Sequence, residues 1–407
     1  MIRYIQGYNF KDKKALIRVD FNVPLDDNFQ IVDSTRIDKT LPTIQKVLAD
    51  GGAAILISHL GRPKQGYTAS MSLKHLIPYL TTKLGVVVKF AQDCIGPEAG
   101  ESARTLRNGE VLLLENLRFH AAEEKGEANF AKALANLGDV YINDAFGAVH
   151  RKHASTYVIM QYVSDKLAGC LLQEEINSAN KLLTAIKRPF TAIIGGTKIT
   201  DKIQTMEALL DKLDNLLIGG GVANTFHQAL GGKLGNSIVE ADQHELALTI
   251  LHQAIEKGVN IVLPTDVVIA DRWGNDAKTD MAASDSVPDN WMALDIGPHT
   301  QGLFTSIVQA SKTILWAGPI GAFEMPAFSH GTQATLQAVA EATRQGAFSL
   351  IGGGDSATAV TQLGYGGQVS YVSTGGGALL SYLANPDLPV IRALCDNDIL
   401  DLQTKEE

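Results

Sequence analysis

The chain is 407 residues long, 45% hydrophobic and 19% charged, which exceeds the size at which one hydrophobic core keeps growing and predicts two domains. Its net charge of −9 excludes a protein held to nucleic acid or to an anionic membrane by its overall field, so its arginines must act locally, in a focused pocket. Cys94, Cys170 and Cys395 lie far apart with no CxxC pair and no histidine at metal-ligand spacing, no signal-type core follows Met1, and no run of about eighteen apolar residues occurs, so a soluble, unexported, cytoplasmic protein with reduced cysteines is expected.

From the N-terminus, short apolar runs at 15–19, 53–57, 86–90, 111–114 and 140–142 alternate with helical periodicity around 36–49, 70–84 and 127–137. Runs of Val, Ile and Leu without polar alternation predict strands covered on both faces, as in a parallel sheet between helix layers. The first run ends in Arg18-Val19-Asp20-Phe21-Asn22-Val23-Pro24, with Asp20 and Asn22 just past a strand's carboxyl end, where open α/β sheets hold ligands. Asp20 can accept a hydrogen bond from a substrate hydroxyl and Asn22 can donate one, although the pair equally suits a plain turn before proline. Arg18 is expected inside the sheet, in a structural ion pair.

The pattern recurs. Ser58-His59-Leu60-Gly61-Arg62-Pro63 follows the second run, Leu114-Glu115-Asn116-Leu117-Arg118-Phe119 the fourth, and Asn143-Asp144-Ala145-Phe146-Gly147-Ala148-Val149-His150-Arg151 the fifth. Arg36 opens a helix, where a cation opposes the dipole unless an anion sits beside it. A surface turn explains any one of these segments. Five elements delivering Arg36, His59, Arg62, Arg118 and Arg151 to one sheet edge predict an anion site instead. His120 and His153 are expected as helix-end or packing residues.

From Gly169 to Lys187, Leu171, Leu172, Ile176, Leu182, Leu183 and Ile186 repeat at helical spacing and stop before Pro189, predicting a helix that carries the chain to a second sheet. That sheet has strands near 191–194, 215–218, 260–263, 313–316, 349–351 and 369–373. Five of its runs lead into glycine turns, Gly195-Gly196, Gly219-Gly220-Gly221, Gly318-Pro319-Ile320-Gly321, Gly352-Gly353-Gly354 and Gly375-Gly376-Gly377, which let backbone approach an anion and aim N–H groups at it. Gly195 to Lys202 is expected to open a helix, with Lys198 and Lys202 one turn apart along a polyphosphate; a solvated lysine face is the bland alternative. Gly353-Gly354-Asp355-Ser356 is expected to open another, Asp355 serving as a magnesium ligand or a plain N-cap and Ser356 as a cap or phosphate donor. The fold class is therefore α/β: two Rossmann-like domains, each a mostly parallel sheet between helix layers, joined by a helix and hinge. The expected bounds are 1–168, an interdomain helix over 169–187, 188–385, and a tail over 386–407 that is a candidate to return to the first domain.

The strings RVDFNVP, SHLGRP, LENLRF and NDAFGAVHR, followed by IGGTKITDK, IGGGVANTF, GPIGAFE, IGGGDSA and STGGGA, resemble those of the phosphoglycerate kinase family from about residue 15 to about 380. The resemblance implies reversible phosphoryl transfer between 1,3-bisphosphoglycerate and MgADP, giving 3-phosphoglycerate and MgATP in glycolysis and gluconeogenesis, by a cytoplasmic monomer whose domains close about hinges near 165–190 and 375–395. It implies that Asp20, Phe21, Asn22, Arg36, His59, Leu60, Gly61, Arg62, Arg118, Gly147 and Arg151 hold the acid. Gly196, Thr197, Lys198, Lys202, Gly220, Gly221, Gly297, Gly321, Glu324, Gly353, Gly354, Asp355 and Ser356 are implied to hold the nucleotide, with Glu324 on the ribose and Asp355 on the Mg²⁺ that ADP or ATP carries. The implied catalytic set is Arg36, Lys198 and the amides of Gly375 and Gly376. Ala317 and Tyr371 depart from the family's usual asparagine and histidine, and the tail is more acidic than the family's usual ending.

Two other readings fit parts of the chain. Gly352-x-Gly354-x-x-Ala357 matches a loose dinucleotide fingerprint of a dehydrogenase, but residues 370–380 lack the acidic partner it requires. A non-catalytic anion-binding protein on the same fold would have lost some of the cations, and none is missing.

Overall fold

The computed structural model describes residues 1–64 and 66–395, which form two compact units, Met1–Ile176 with the chain from Pro386 onward, and Asn177–Asn385. In the first, β1 (Lys14–Val19), β2 (Ala53–Ile57), β3 (Val88–Ala91), β4 (Val111–Leu114), β5 (Val140–Asp144) and β6 (Lys166–Ala168) form one sheet in the order β3-β4-β2-β1-β5-β6. Every pairing is parallel. Its helices include α1 (Thr35–Ala49), α2 (Ile77–Leu84), α3 (Gly96–Arg104), α4 (Ala121–Lys125) and α5 (Ala128–Ala135), and α6 (Cys170–Thr184) begins in this unit and continues past its end at Ile176.

Strands β2, β4 and β5 are buried at every residue, which is why their apolar runs lack alternation. Ile37, Ile44 and Val47 of α1 pack with Ile17, Val19, Leu56, Leu113 and Ile142 of the sheet in one core. The helix expected over 70–84 is interrupted: two 3₁₀ turns, Ala69–Met71 and Leu73–Leu76, precede α2. Ser72 separates them, its Oγ accepting the Lys74 N–H at 3.2 Å and donating to Glu115 at 2.6 Å, and Pro78 at the start of α2 has no N–H to join an earlier turn. The short helices α3 and α4 and the strand β6 have no counterpart in the sequence reading.

The second unit has a parallel six-stranded sheet in the order β10-β8-β7-β15-β16-β17, built from β7 (Phe190–Ile194), β8 (Asn215–Ile218), β10 (Asn260–Val262), β15 (Thr313–Ala317), β16 (Phe348–Gly352) and β17 (Tyr371–Val372). Beside it β11 (Asp266–Ala270), β12 (Thr279–Ala283) and β14 (Met292–Ile296) form an antiparallel sheet in the order β12-β11-β14, and β9 (Lys233–Leu234) pairs with β13 (Ser286–Val287). These small sheets are absent from the sequence reading: β12 is mostly exposed and shows no apolar run, while the run Val267-Val268-Ile269-Ala270 of β11 lies close behind that of β10. The helices are α7 (Ile203–Leu210), α8 (Gly220–Ala229), α9 (His244–Glu256), α10 (Pro298–Ala310), α11 (His330–Arg344), α12 (Gly354–Gln362) and α13 (Gly377–Ala384).

The last described helix, α14 (Pro389–Cys395), packs against β6, and the N-terminal amine donates to the Cys395 carbonyl at 3.4 Å. The remainder of the tail, 396–407, lies outside the described residues.

Candidate functional site

In the first unit the loops after β1, β2, β4 and β5 leave the same carboxyl edge of the sheet. The loop after β1 is folded by its own side chains: the Asn22 N–H donates to Asp20 Oδ1 at 3.2 Å, and the Phe21 N–H donates to Ser58 Oγ at 2.8 Å. Arg36, near the start of α1, reaches back to this loop. Its Nη1 donates to the Asn22 carbonyl at 3.0 Å and lies 3.4 Å from Asp20 Oδ2. Gly61 joins the next two loops, its N–H donating to Asn22 Oδ1 at 2.8 Å and its carbonyl accepting Arg118 Nη1 at 2.8 Å. Its φ of +64° and the Met71 sulfur 2.8 Å from where a Cβ would stand require glycine there. Asn116 sets Arg118, accepting its N–H at 3.0 Å while its own Nδ2 donates to the carbonyls of Leu60 at 2.7 Å and Met71 at 2.9 Å.

The electrostatics refine two expected roles. Burial acts to raise the Asp20 carboxyl, but Arg36, with Arg18 and the Asn22 amide, holds it below the usual carboxylate range. Burial and the repulsion of Arg18, Arg118 and Arg36 outweigh the attraction of Asp20 and push His59 well below the usual histidine value. His59 is therefore a neutral donor, not a second cation. Arg18 Nη2 lies 3.2 Å from His59 Nδ1, and because a guanidinium only donates, the imidazole proton sits on Nε2. Arg18 itself is buried as expected, yet its hydrogen bonds go to Ser155 Oγ, the Val19 carbonyl and His59, not to a carboxylate. The ion-pair expectation is corrected: Ser155 stands between Arg18 and Glu123, donating to Glu123 Oε1 at 2.6 Å.

Arg151 Nε donates to His150 Nε2 at 3.0 Å, and its charge acts on Arg118. Gly147 lies in the 3₁₀ turn Phe146–Ala148 beside it, and Leu60 and Phe21 are buried beneath the loops. Arg62 is exposed and makes no ion pair among the described residues. His153 belongs to this group although the sequence reading set it aside. Burial, with Arg18, Arg118, Arg151 and His150 repelling its protonated form, brings it down to about 4. Only its nearness to Arg151 in sequence could have signalled this.

In the second unit a cleft of about 810 Å³, counting its open mouth, is lined by Gly196, Thr197, Gly220, Gly221, Gly321, Glu324 and Asp355. The glycine turns touch through their backbones. Gly195 N–H donates to the Ala317 carbonyl at 3.0 Å and Gly196 N–H to the Pro319 carbonyl at 2.8 Å. Gly219, Gly353 and Gly376 stand at the N-caps of α8, α12 and α13, leaving helix N-termini directed away from their strands. Gly353 and Gly354 adjoin Asp355, and Gly297 is the N-cap of α10 next to the lining residue Ile296.

Three expectations change here. The helix after β7 opens at Ile203, not at Gly195, because Thr200 is held by Glu240 through its N–H at 3.2 Å and its hydroxyl at 2.9 Å. Lys198 is thus an exposed loop residue and Lys202 a half-buried N-cap, neither in an ion pair among the described residues. Ser356 does not cap its helix; its Oγ accepts the Gly318 N–H at 2.6 Å. The Gly375 N–H is bonded to Ser373 Oγ at 3.0 Å, which narrows the expected pair of amide donors to Gly376.

The sequence reading missed the opposite wall, where Asn224, His227, Pro264, Ser284, Leu294 and Asp295 line the cleft. Asp295 is buried, and a Cβ on Gly321 or Gly331 would fall 2.3 Å from its Oδ1. Burial pushes its carboxyl up to about 7 against the backbone N–H groups of Gly331, Ile296 and His330.

A family model described as phosphoglycerate kinase matches residues 5–385. The chain is 48% identical over 415 residues to a phosphoglycerate kinase of Porphyromonas gingivalis, covering 96% of this chain and 99% of that one. It is 50% identical over 390 residues to one of Chloroherpeton thalassium, covering 96% and 98%. A solved phosphoglycerate kinase of Coxiella burnetii superposes with a TM-score of 0.84 at 37% identity, over 97% of this chain and 99% of that one.

Proposed function

Because the chain belongs to the phosphoglycerate kinase family, we infer that the loop cluster of the first unit holds 3-phosphoglycerate and the cleft of the second holds the nucleotide. The reaction is reversible phosphoryl transfer in glycolysis and gluconeogenesis: the bond between phosphorus and the acyl oxygen of 1,3-bisphosphoglycerate breaks, and a bond from a β-phosphate oxygen of ADP to that phosphorus forms. The attacking oxygen and the departing carboxylate are both deprotonated at neutral pH, so no general base is needed. Positioning and charge stabilisation suffice.

The observation that carries this reading is the convergence of Asp20, Asn22, Arg36, Gly61 and Arg118 through direct hydrogen bonds at one sheet edge, with His59 Nδ1 3.9 Å from Asp20 Oδ1. An anionic Asp20 accepts the substrate hydroxyl. His59 Nε2–H and Asn22 Nδ2 donate, and Arg62, Arg118 and Arg151 face the phosphate. Arg36 is assigned to the transferring group, its guanidinium steadied by the Asn22 carbonyl. On the nucleotide side, Lys198, Lys202 and the Gly376 amide are assigned to the phosphates and Glu324 to the ribose. Asp355 is exposed in the cleft wall with no ion pair among the described residues, and its hard oxygens fit Mg²⁺ arriving on the nucleotide. That ion would neutralise charge on the phosphate oxygens when bound.

A coupled assay for 3-phosphoglycerate-dependent ATP consumption tests the function. Absence of that activity in folded protein overturns it, and reduction of a nicotinamide cofactor in its place favours the dehydrogenase reading.

A further inference from the structure

Asp93, Cys94 and His120 bring a carboxylate oxygen, a sulfur and an imidazole nitrogen within 4.8 Å of one another. No spacing rule exposes this set, because Asp93 and Cys94 follow β3 while His120 stands between the 3₁₀ turn Leu117–Phe119 and α4. The side chains are already oriented. His120 Nε2 lies 2.6 Å from Asp93 Oδ1, the ring is tilted against Phe130 at 5.3 Å, and the Cys94 N–H donates to Asp93 Oδ1 at 2.6 Å. Cys94 is buried, whereas the side chains of His120 and Asp93 are 31% and 47% exposed. A cation therefore has a route from solvent past the nitrogen and oxygen to the sulfur behind them.

One sulfur, one nitrogen and one oxygen with an open side match the donor preference of a four-coordinate zinc-type ion with three protein ligands and a water. The same set suits Mg²⁺ poorly, since that ion demands octahedral oxygen coordination. We propose that Asp93, Cys94 and His120 bind a thiophilic divalent cation of the Zn²⁺ class, and that its occupancy acts on Arg118. On binding, the thiol releases its proton to solvent, and His120 exchanges its hydrogen bond to Asp93 for a bond to the metal. Arg118 lies two residues before His120 in the same turn and donates to the Gly61 carbonyl, so a displacement of His120 reaches the acid site and not the nucleotide cleft.

Metal-free full-length protein titrated with Co²⁺, without nucleotide or Mg²⁺, tests this. The expected result is a thiolate-to-cobalt charge-transfer absorption and four-coordinate ligand-field bands saturating at one equivalent and displaced by Zn²⁺. Cys94→Ser should abolish the charge-transfer band, and Cys170→Ser with Cys395→Ser should retain it. His120→Ala should weaken Co²⁺ binding on the order of tenfold or more. Zn²⁺ should raise the apparent KM for 3-phosphoglycerate in the unmodified protein and not in His120→Ala. No band in natively folded protein, a band surviving Cys94→Ser, or a band lost with the other two cysteines overturns the site. Should Cys94→Ser fail to fold, unchanged Co²⁺ affinity in His120→Ala overturns it equally, and a KM insensitive to bound Zn²⁺ removes the link to Arg118.

Discussion

At the scale of single residues, the acid site separates charge by type. Burial, reinforced by three arginines, keeps a histidine neutral, and the neighbouring aspartate stays ionised despite its own burial. Arg36 alone is tied to the Asn22 carbonyl and Asp20 while remaining partly exposed, which suits a cation that meets charge developing outside the loop cluster. Arg36→Ala should leave ADP binding intact and cut kcat by about a hundredfold or more, the scale of one lost transition-state contact; steady-state kinetics with near-normal kcat would remove it from catalysis. Lys202→Ala should mainly raise the KM for nucleotide, and an unchanged KM would place that ammonium away from the phosphates. Arg36, Arg118 and Gly61 were legible because each sits at a strand end or helix start that a period argument can locate. His153 and Asp295 were not, since nothing in their neighbouring residues announces the partners that perturb them.

At the scale of elements, the nucleotide cleft is shaped by backbone approaching backbone. Gly318 has φ +98°, and a Cβ there would stand 2.2 Å from the Gly195 carbonyl oxygen. The strands β7 and β15 pair in parallel up to Ile194 and Ala317, so their following turns cannot separate without tearing the sheet edge. Gly318→Ala should therefore cost roughly 1–3 kcal/mol through strain at a left-handed position and raise the KM for nucleotide. Gly364→Ala is the control: φ is +76° but no atom lies within 4 Å of its Cβ position, so stability should fall while that KM stays constant. Equal KM changes in the two variants, measured beside their melting temperatures, would refute the steric argument. The glycine turns were readable from sequence, but the late start of α7 was not, because it depends on Glu240 seizing Thr200 from forty residues away.

At the scale of the whole molecule, each unit buries a carboxyl that is shifted far toward its protonated form. Burial pushes Asp144 in the first and Asp295 in the second up to about 7, and Asp144 Oδ2 has no hydrogen-bond partner among the described residues. A carboxyl in the unfolded chain titrates near ~3.9. Above that pH the unfolded chain has released protons that the folded chain still holds. These two groups therefore favour folding most below about pH 4, lose that contribution as pH rises to 7, and change nothing beyond. The slope is up to roughly 1.4 kcal/mol per pH unit for each. Asp295→Asn removes one of the two, so between pH 5 and pH 7.5 its melting-temperature deficit should shrink steadily as the pH rises. A deficit constant over that range would show that Asp295 does not titrate there.

Local chemistry reached far in this chain. Uninterrupted apolar runs specify covered parallel strands, glycine turns after them mark the backbone we assign to phosphates, and arginines at strand ends mark the edge where we place the acid, because each signal is carried by residues adjacent in sequence. Tertiary structure alone decided that His59 is neutral, that the Gly375 amide is already committed, that an antiparallel sheet completes the nucleotide cleft, and that Asp93, Cys94 and His120 meet. Each of those depends on burial or on partners from distant segments, and desolvation and hydrogen bonding are properties of neighbours in space.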